Sequence, residues 1–389
     1  MTDRPAFLSS AGFTRLAGAF AQRGWRLWAV GGCVRDSLLG RRVGDIDLCS
    51  DALPQQVMQA LGKDGFQVIP TGIDHGTVTV MADGTGFEVT TLRRDLATDG
   101  RHATVGFTTD LAEDAARRDF TMNALYMTPD GQVIDPLGGM TDLRAQRVRF
   151  VGAPDQRITE DYLRILRFFR FHAWYGRPGQ ADAAALAACA RHRDGIATLS
   201  RERVGAEMRK LLAAPDPSGA VALMQGAGLL AAILPGADAP ALAALIATEA
   251  AIDDRGDWPR RLAALLPDAP APVTGLRLSR AEARHLNQLT RARQGGWSLD
   301  RIGYALPAPV ARDAAILCGL AAGPGWREAL VRAGQSTLPI AARDLPDLNG
   351  PALGAALRAA EDAWVMSGFT LTPADLCATA RQTVSEARG

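Results

Sequence analysis

Lysine is nearly missing from this 389-residue chain: of 43 basic residues only two, Lys63 and Lys210, are lysine. Arginine carries the rest of the positive charge, and its planar fork suits bidentate contacts with phosphates and base edges. Coding bias also yields an alanine- and arginine-rich composition, so composition alone does not establish nucleic-acid binding. Neither sign of charge dominates, since 42 acidic residues leave a formal net charge of +1. No apolar run reaches the length a membrane span needs. The five cysteines, Cys33, Cys49, Cys189, Cys318 and Cys377, are scattered without CxxC spacing, which argues against a thiolate zinc site or a disulfide framework. Five histidines form neither HExxH nor a His-Asp doublet, so a histidine-based phosphohydrolase has no support. The N-terminal stretch MTDRPAFLSSAGFTRLAGAF has an early acid and no cleavable signal pattern. A cytoplasmic protein is expected.

What is present changes character along the chain. WRLWAV (25–30) reads as a strand, CVRDSLLG as a helix and DIDLCS as a second strand; LPQQVMQAL has helical spacing. FQVIPTG is a further strand, and GTVTVMA with GFEVTTL, separated by Asp83-Gly84, reads as a hairpin. VIDPLGG and RVRFVG supply two short extended pieces. From Asp155 onward, TEDYLRILRFFRFHAW carries apolar residues at helical spacing, and alanine- and leucine-rich helical segments follow, broken by clusters such as LPDAPAPVTG. The fold class expected is α+β: a small mixed sheet with helices, then an all-helical remainder.

One stretch, VGGCVRDSLLGRRVGDIDL (30–48), carries chemistry. If DIDLCS is a strand, Asp45 and Asp47 project on one side and Ile46 on the other. Two carboxylates held together repel unless a cation lies between them, and Mg2+ is the hard ion suited to carboxylate and phosphate oxygens. A pair of such ions can activate a hydroxyl and neutralise a pyrophosphate leaving group. Gly31 and Gly32, between a strand and a helix, let backbone approach a triphosphate at a helix N-terminus, and Arg35 on the first turn comes within reach of the same phosphates. Glu88, flanked by Phe87 and Val89, faces away from both. It is either a third carboxylate of the site or an exposed strand acid.

This stretch resembles the signature of the class II tRNA nucleotidyltransferase/poly(A) polymerase family. The resemblance implies that Asp45 and Asp47 hold two catalytic Mg2+ ions and that the glycine turn holds a nucleoside triphosphate. ARRDFTMNALYM (116–127) is similar to the family's second motif, which puts sugar and phosphate contacts on Arg118, Asp119 and Asn123. DPLGGMTDL (135–143) resembles the spring that joins head to neck, with a hinge at Gly138 and Gly139. LSRERVGAEMRKLL (199–212) resembles a helical block that braces the neck.

TEDYLRILRFFRF (159–171) resembles the family's nucleotide-selecting EDxxR helix. On one helix, Asp161 and Arg164 lie side by side. An arginine donor beside an aspartate acceptor matches the pairing edges of cytosine and adenine alike. Uracil and guanine would leave buried polar groups unpaired, at a cost of roughly 1–3 kcal/mol each. Arg167 and Arg170 continue the spacing and are expected to meet phosphates or orient the pair.

The domains expected are a nucleotidyltransferase head over 1–152, a helical neck with the nucleotide-selecting helix over 153–235, and a helical tRNA-binding body over 236–389. The activity implied is CCA addition to tRNA from CTP and ATP, with no membrane partner. Residues 91–119, between the hairpin and RRD, resemble the flexible loop that CC-only relatives shorten. An A-adding enzyme or poly(A) polymerase of the same family stays open, although ARQTVSEARG is not a long basic tail. A non-catalytic RNA-binding protein with a degenerate head would be expected to lose Asp45 or Asp47, and both are present.

Overall fold

The computed structural model describes residues 4–99, 102–266 and 274–386, with side chains outside 95–105 and 274. It divides into two compact units, Met1–Ile233 and Leu234–Gly389.

In the first unit, Ser10 accepts the Phe13 N–H at 3.3 Å and so starts α1 (Ala11–Ala21). Phe13, Leu16 and Phe20 recur at helical spacing and are buried. β1 (Leu27–Val30) is buried at every position. It is followed by α2 (Gly32–Leu38), β2 (Asp47–Ser50), α3 (Pro54–Lys63), β3 (Gln67–Gly72), β4 (Thr77–Ala82) and β5 (Thr85–Thr91). The β4–β5 turn places Asp83 and Gly84 at φ 48° and 79°, the left-handed pair that a two-residue hairpin requires. Two short strands, β6 (Arg93–Asp99) and β7 (His102–Phe107), form a separate ribbon. Then come α4 (Leu111–Ala116), β8 (Tyr126–Met127), β9 (Val133–Ile134), α5 (Gly139–Arg144), α6 (Pro154–Glu160), α7 (Leu163–Tyr175), α8 (Ala183–Arg191) and α9 (Arg201–Leu212).

The main sheet has seven strands in the order β3-β4-β5-β2-β1-β8-β9. β2 pairs parallel with β5 and the other neighbours are antiparallel, so the sheet is mixed, as expected. Aromatic packing joins it to the helices that follow. Phe120, Phe150, Phe168 and Phe169 are fully buried, with Phe120–Phe150 and Phe150–Phe168 centroids 4.9 and 5.9 Å apart. Burying rings of this size stabilises by roughly 2–3 kcal/mol each.

Four expectations are corrected here. Asp45 is not in a strand: it occupies a bend two residues before β2. TEDYLRILRFFRF is not one helix, because α6 ends at Glu160 and Asp161 is extended at φ −158°, ψ 107°. The cause is local: the Asp161 carboxylate accepts the Leu163 N–H at 3.1 Å and caps the start of α7. The segment that resembles a flexible loop contains the β6–β7 ribbon and α4, with residues 100 and 101 outside the described ones. RVRFVG is the short extended piece expected, joined to Phe120 by an isolated bridge at Phe150. Gly139 is no hinge. A Cβ there would collide with the Thr121 carbonyl, and Asp135 holds the N–H groups of Gly139 and Met140 at 2.8 and 2.9 Å. Close packing, not freedom, is what this glycine supplies.

The second unit is helical throughout its described residues. Its helices are α12 (Ala239–Ala251), α13 (Trp258–Leu265), α14 (Arg280–Gln294), α15 (Leu299–Ala305), α16 (Ala308–Leu317), α17 (Trp326–Gln335), α18 (Gly350–Met366) and α19 (Pro373–Glu386), after α10 (Ser218–Gly226) and α11 (Leu229–Ile233) close the first unit. α13 buries Arg260, which is 1% exposed and bonds Glu249, Asp254 and Asp313 at 3.0 Å each. No helix among the described residues is long and apolar enough to cross a membrane.

Candidate active site

The site forms where β2 and β5 run side by side. Asp47 opens β2 and is the register partner of Glu88 in the parallel pair, so the two carboxylates leave the same face of neighbouring strands. Strands in a sheet lie about 4.8 Å apart. Along β5, Phe87 and Val89 are buried and Glu88 is exposed, which places Glu88 on the open face opposite its neighbours. Partial burial raises the pKa of Asp47; Glu88 and Asp45 push it further in the same direction, while Arg118 opposes them. Three acids and one arginine thus share one field.

The glycine turn faces that field. Gly31 sits at φ 73°, ψ −124°, a conformation that side chains rarely adopt, and a Cβ there would stand 3.6 Å from Arg118 Nη1. Cys33 is buried behind the turn, with Sγ 3.3 Å from the Val30 carbonyl and 3.6 Å from that of Asp47. A small residue at this position lets α2 close onto β2.

Arg118 is aimed by groups that sequence reasoning missed. Fully buried Asp114 accepts from Arg118 Nη2 at 2.9 Å, Arg117 Nη2 at 2.7 Å and Tyr126 Oη at 2.8 Å. Tyr126 also accepts from Arg118 Nε at 3.2 Å. Burial pushes the Asp114 pKa up, but Arg118 and Arg117 outweigh it and hold it down at about 2. Asp114 lies three and four residues before Arg117 and Arg118, so helical spacing could have revealed it. With Nε and Nη2 engaged, Nη1 is the end of Arg118 beside the glycine turn.

Arg35 does not reach toward a triphosphate, which corrects the sequence reading. It is 6% exposed and its donors are committed: Nε and Nη2 to Asp36 at 3.0 Å, Nη1 to Asn123 Oδ1 at 2.6 Å, Nη2 to Tyr175 Oη at 2.7 Å. The Asn123 amide donates to Asp119 at 3.0 Å, and Asp119 accepts from Arg167 Nε at 2.8 Å. Burial raises the Asp119 pKa, yet Arg167 and Asn123 prevail and bring it to about 2. A continuous polar chain therefore links α2 to α7.

Asp161 and Arg164 are both present beside α7 but are not paired. Asp161 accepts from Arg203 Nη2 of α9 at 2.6 Å. Arg164 bonds Glu160 and donates to the Arg157 carbonyl at 2.8 Å. The break after Glu160 turns the aspartate away from its expected neighbour. Arg170 faces Glu207 of α9 at 2.9 Å, and burial lowers its pKa. Arg203, Glu207 and Glu160 were not singled out from sequence, because each partner comes from a different element or from the turn that breaks the helix.

Residues 27–149 match the family described as "Poly A polymerase head domain", and residues 182–239 match "Probable RNA and SrmB- binding site of polymerase A". Residues 27–149 thus belong to the poly(A) polymerase head-domain family. Its similarity to "CCA tRNA nucleotidyltransferase 1, mitochondrial" of Homo sapiens is 44% identity over 210 residues, 53% of this chain and 48% of that protein. To the "CCA-adding enzyme" of Geobacillus thermodenitrificans it is 38% over 263 residues, 67% of this chain and 59% of the relative. The chain spans about half the length of the curated relatives it matches. Among solved structures, the Bacillus stearothermophilus CCA-adding enzyme in complex with CTP superposes with a TM-score of 0.70 at 28% identity, covering 92% of this chain and 94% of that one. The carboxylates and the glycine turn fall within the head-domain match; Asp161 and Arg164 lie beyond it.

Proposed function

We propose that this chain is a CCA-adding nucleotidyltransferase, which extends the 3′ end of tRNA by C, C and A from CTP and ATP and releases pyrophosphate. One observation carries the reading: Asp45, Asp47 and Glu88 share a field with Arg118 beside the Gly31 turn. The names and folds of the relatives support it.

The all-carboxylate donor set fits a hard divalent ion, which would offset the burial and the repulsion from Glu88 and Asp45 that raise the Asp47 pKa. Among the described residues, no three His, Cys, Asp or Glu side chains form a ready-made ion cage; substrate oxygens would complete the coordination. Asp45 and Asp47 would hold Mg2+, and Glu88 would add to the negative field. Bound as two ions, Mg2+ supplies activation of the 3′-hydroxyl and charge neutralisation of the leaving pyrophosphate.

The chain's own residues do the rest. Gly31 lets the backbone come close to the triphosphate, and Arg118 Nη1 steadies its charge. Arg35, Asn123, Asp119 and Arg167 hold the glycine helix in register with α7; they position rather than bind. Asp161 and Arg164 read the base, the arginine donating to N3 of cytosine or N1 of adenine and the aspartate accepting from the amine. To do so they exchange Arg203 and Glu160 for the incoming nucleotide. The helical segments grip tRNA through phosphates and shape.

The deciding experiment gives tRNA lacking its 3′ terminus each triphosphate in turn and reads product length. Growth by two residues with CTP and then one with ATP supports the proposal. A long A tract makes the protein a poly(A) polymerase, and one A added only to tRNA already ending in CC makes it A-adding. Tight tRNA binding with no extension makes it an RNA-binding protein.

A further inference from the structure

We propose that Tyr175 is a positioning residue for this reaction, clamping the loop that carries Asp45 onto the C-terminal end of α7. The inference rests on the functional reading above and adds a residue to it.

Asp45 lies outside β2, so no ladder of backbone hydrogen bonds fixes it. Residues 40–46 form no regular element. A metal-binding carboxylate on such a segment needs another anchor. Arg41 supplies one. Its N–H donates to the Asp36 carbonyl at 2.8 Å, and its guanidinium carbon lies 4.8 Å from the centroid of the Tyr175 ring. Among the described residues, that is the one ring or hydrogen-bonding contact made by a side chain of this loop.

The ring is itself held. Arg35 donates to its hydroxyl at 2.7 Å and lies 4.0 Å from its centroid. Phe171, one turn earlier on α7, packs at 5.6 Å. Two guanidinium groups near one ring repel each other. The negative face of the ring and the Asp36 carboxylate, which bonds Arg35, offset that repulsion. Tyr175 thus grips α2 through Arg35 and the acid loop through Arg41. The helix that begins beside Asp161 ends by holding the loop that carries Asp45, so a shift of α7 on nucleotide binding would be felt at the carboxylates.

Tyr175 is half-buried, whereas the fully buried aromatic core of this region is Phe120, Phe150, Phe168 and Phe169. Replacing the ring should therefore spare the fold. The test uses full-length Y175L, Y175F, R41A and Y175L/R41A. Two readouts are taken: single-turnover addition of the first C against CTP concentration, and Mn2+ binding by electron paramagnetic resonance without tRNA.

Y175L and R41A are each expected to lower the maximal rate roughly ten- to a hundredfold, the scale of a misplaced reacting group. The KM for CTP should move by less than about threefold, because the groups that bind the base and triphosphate remain. Both variants should weaken Mn2+ binding several-fold. Y175F, which keeps the ring, should recover most of the loss, and the double variant should be no worse than either single one. Wild-type rate and Mn2+ affinity in R41A would overturn the clamp, as would additive losses in the double variant or failure of Y175F to recover. If the wild-type chain extends no tRNA, the functional reading fails separately, and the Mn2+ comparison still decides the clamp.

Discussion

Asp47 is crowded by its own kind: partial burial, Glu88 and Asp45 all resist its ionisation, with Arg118 as the counterweight. Asp119 is the opposite case. Its ordinary value of 3.8 falls to about 2, since Arg167 and Asn123 overcome the cost of burial. A folded-state pKa below the unfolded one means stability present above about pH 4 and lost as pH falls through about 2. The shift corresponds to about 2 kcal/mol at neutral pH. Asp119→Asn should therefore lose at least about that much at pH 7 in a urea titration, with the gap to wild type closing toward pH 2; a pH-independent gap would remove the ion pair as its cause. Gly31→Ala should cost roughly 1–3 kcal/mol, read as a lower melting temperature, because its φ of 73° suits glycine. The exposed face of Glu88 was legible, because strand alternation sets it opposite Phe87 and Val89, whereas the bend that takes Asp45 out of β2 was not. The inward turn of Arg35 was not, since its partners Asn123 and Tyr175 come from distant parts of the chain.

At the scale of elements, the break between α6 and α7 matters most. It leaves Asp161 with Arg203 and Arg164 with Glu160. Asp161→Ala should relax discrimination of CTP against UTP while changing tRNA affinity by less than about threefold, because base contacts and phosphate contacts are separate. Competing incorporation and filter binding measure the two, and unchanged rejection of UTP would remove Asp161 from base reading. Helical periodicity runs straight through residues 159–171, so the break was hidden from the sequence. It is made by a single side chain that caps the next helix, as Asp161 does for Leu163. The β4–β5 hairpin was legible because Asp83-Gly84 announces its turn. β8, only two residues long, carries no periodic signal, and it owes its existence to pairing with β1 and β9.

For the whole molecule, two compact units each have a core of their own. In the second, Arg260 compensates three acids, and each of the four is nearly or wholly buried. Arg260→Ala would take one partner from each acid, leaving Glu249 to Arg261, Asp254 to Arg312 and Asp313 to His285, at a cost of about 3 kcal/mol in denaturant unfolding. The switch from mixed to helical periodicity near residue 155 falls inside the first unit and does not mark its end at Ile233, and the Arg260 cluster was hidden too, because its acids lie 6 to 53 residues away. Catalysis and tRNA binding should also separate. Asp47→Asn is the most direct test of the carboxylate cradle, with single-turnover nucleotide addition and tRNA affinity measured on the same preparation. The expected result is a rate lower by roughly a thousandfold or more, with tRNA affinity within about threefold of wild type. Nucleotide addition near the wild-type rate would contradict the cradle.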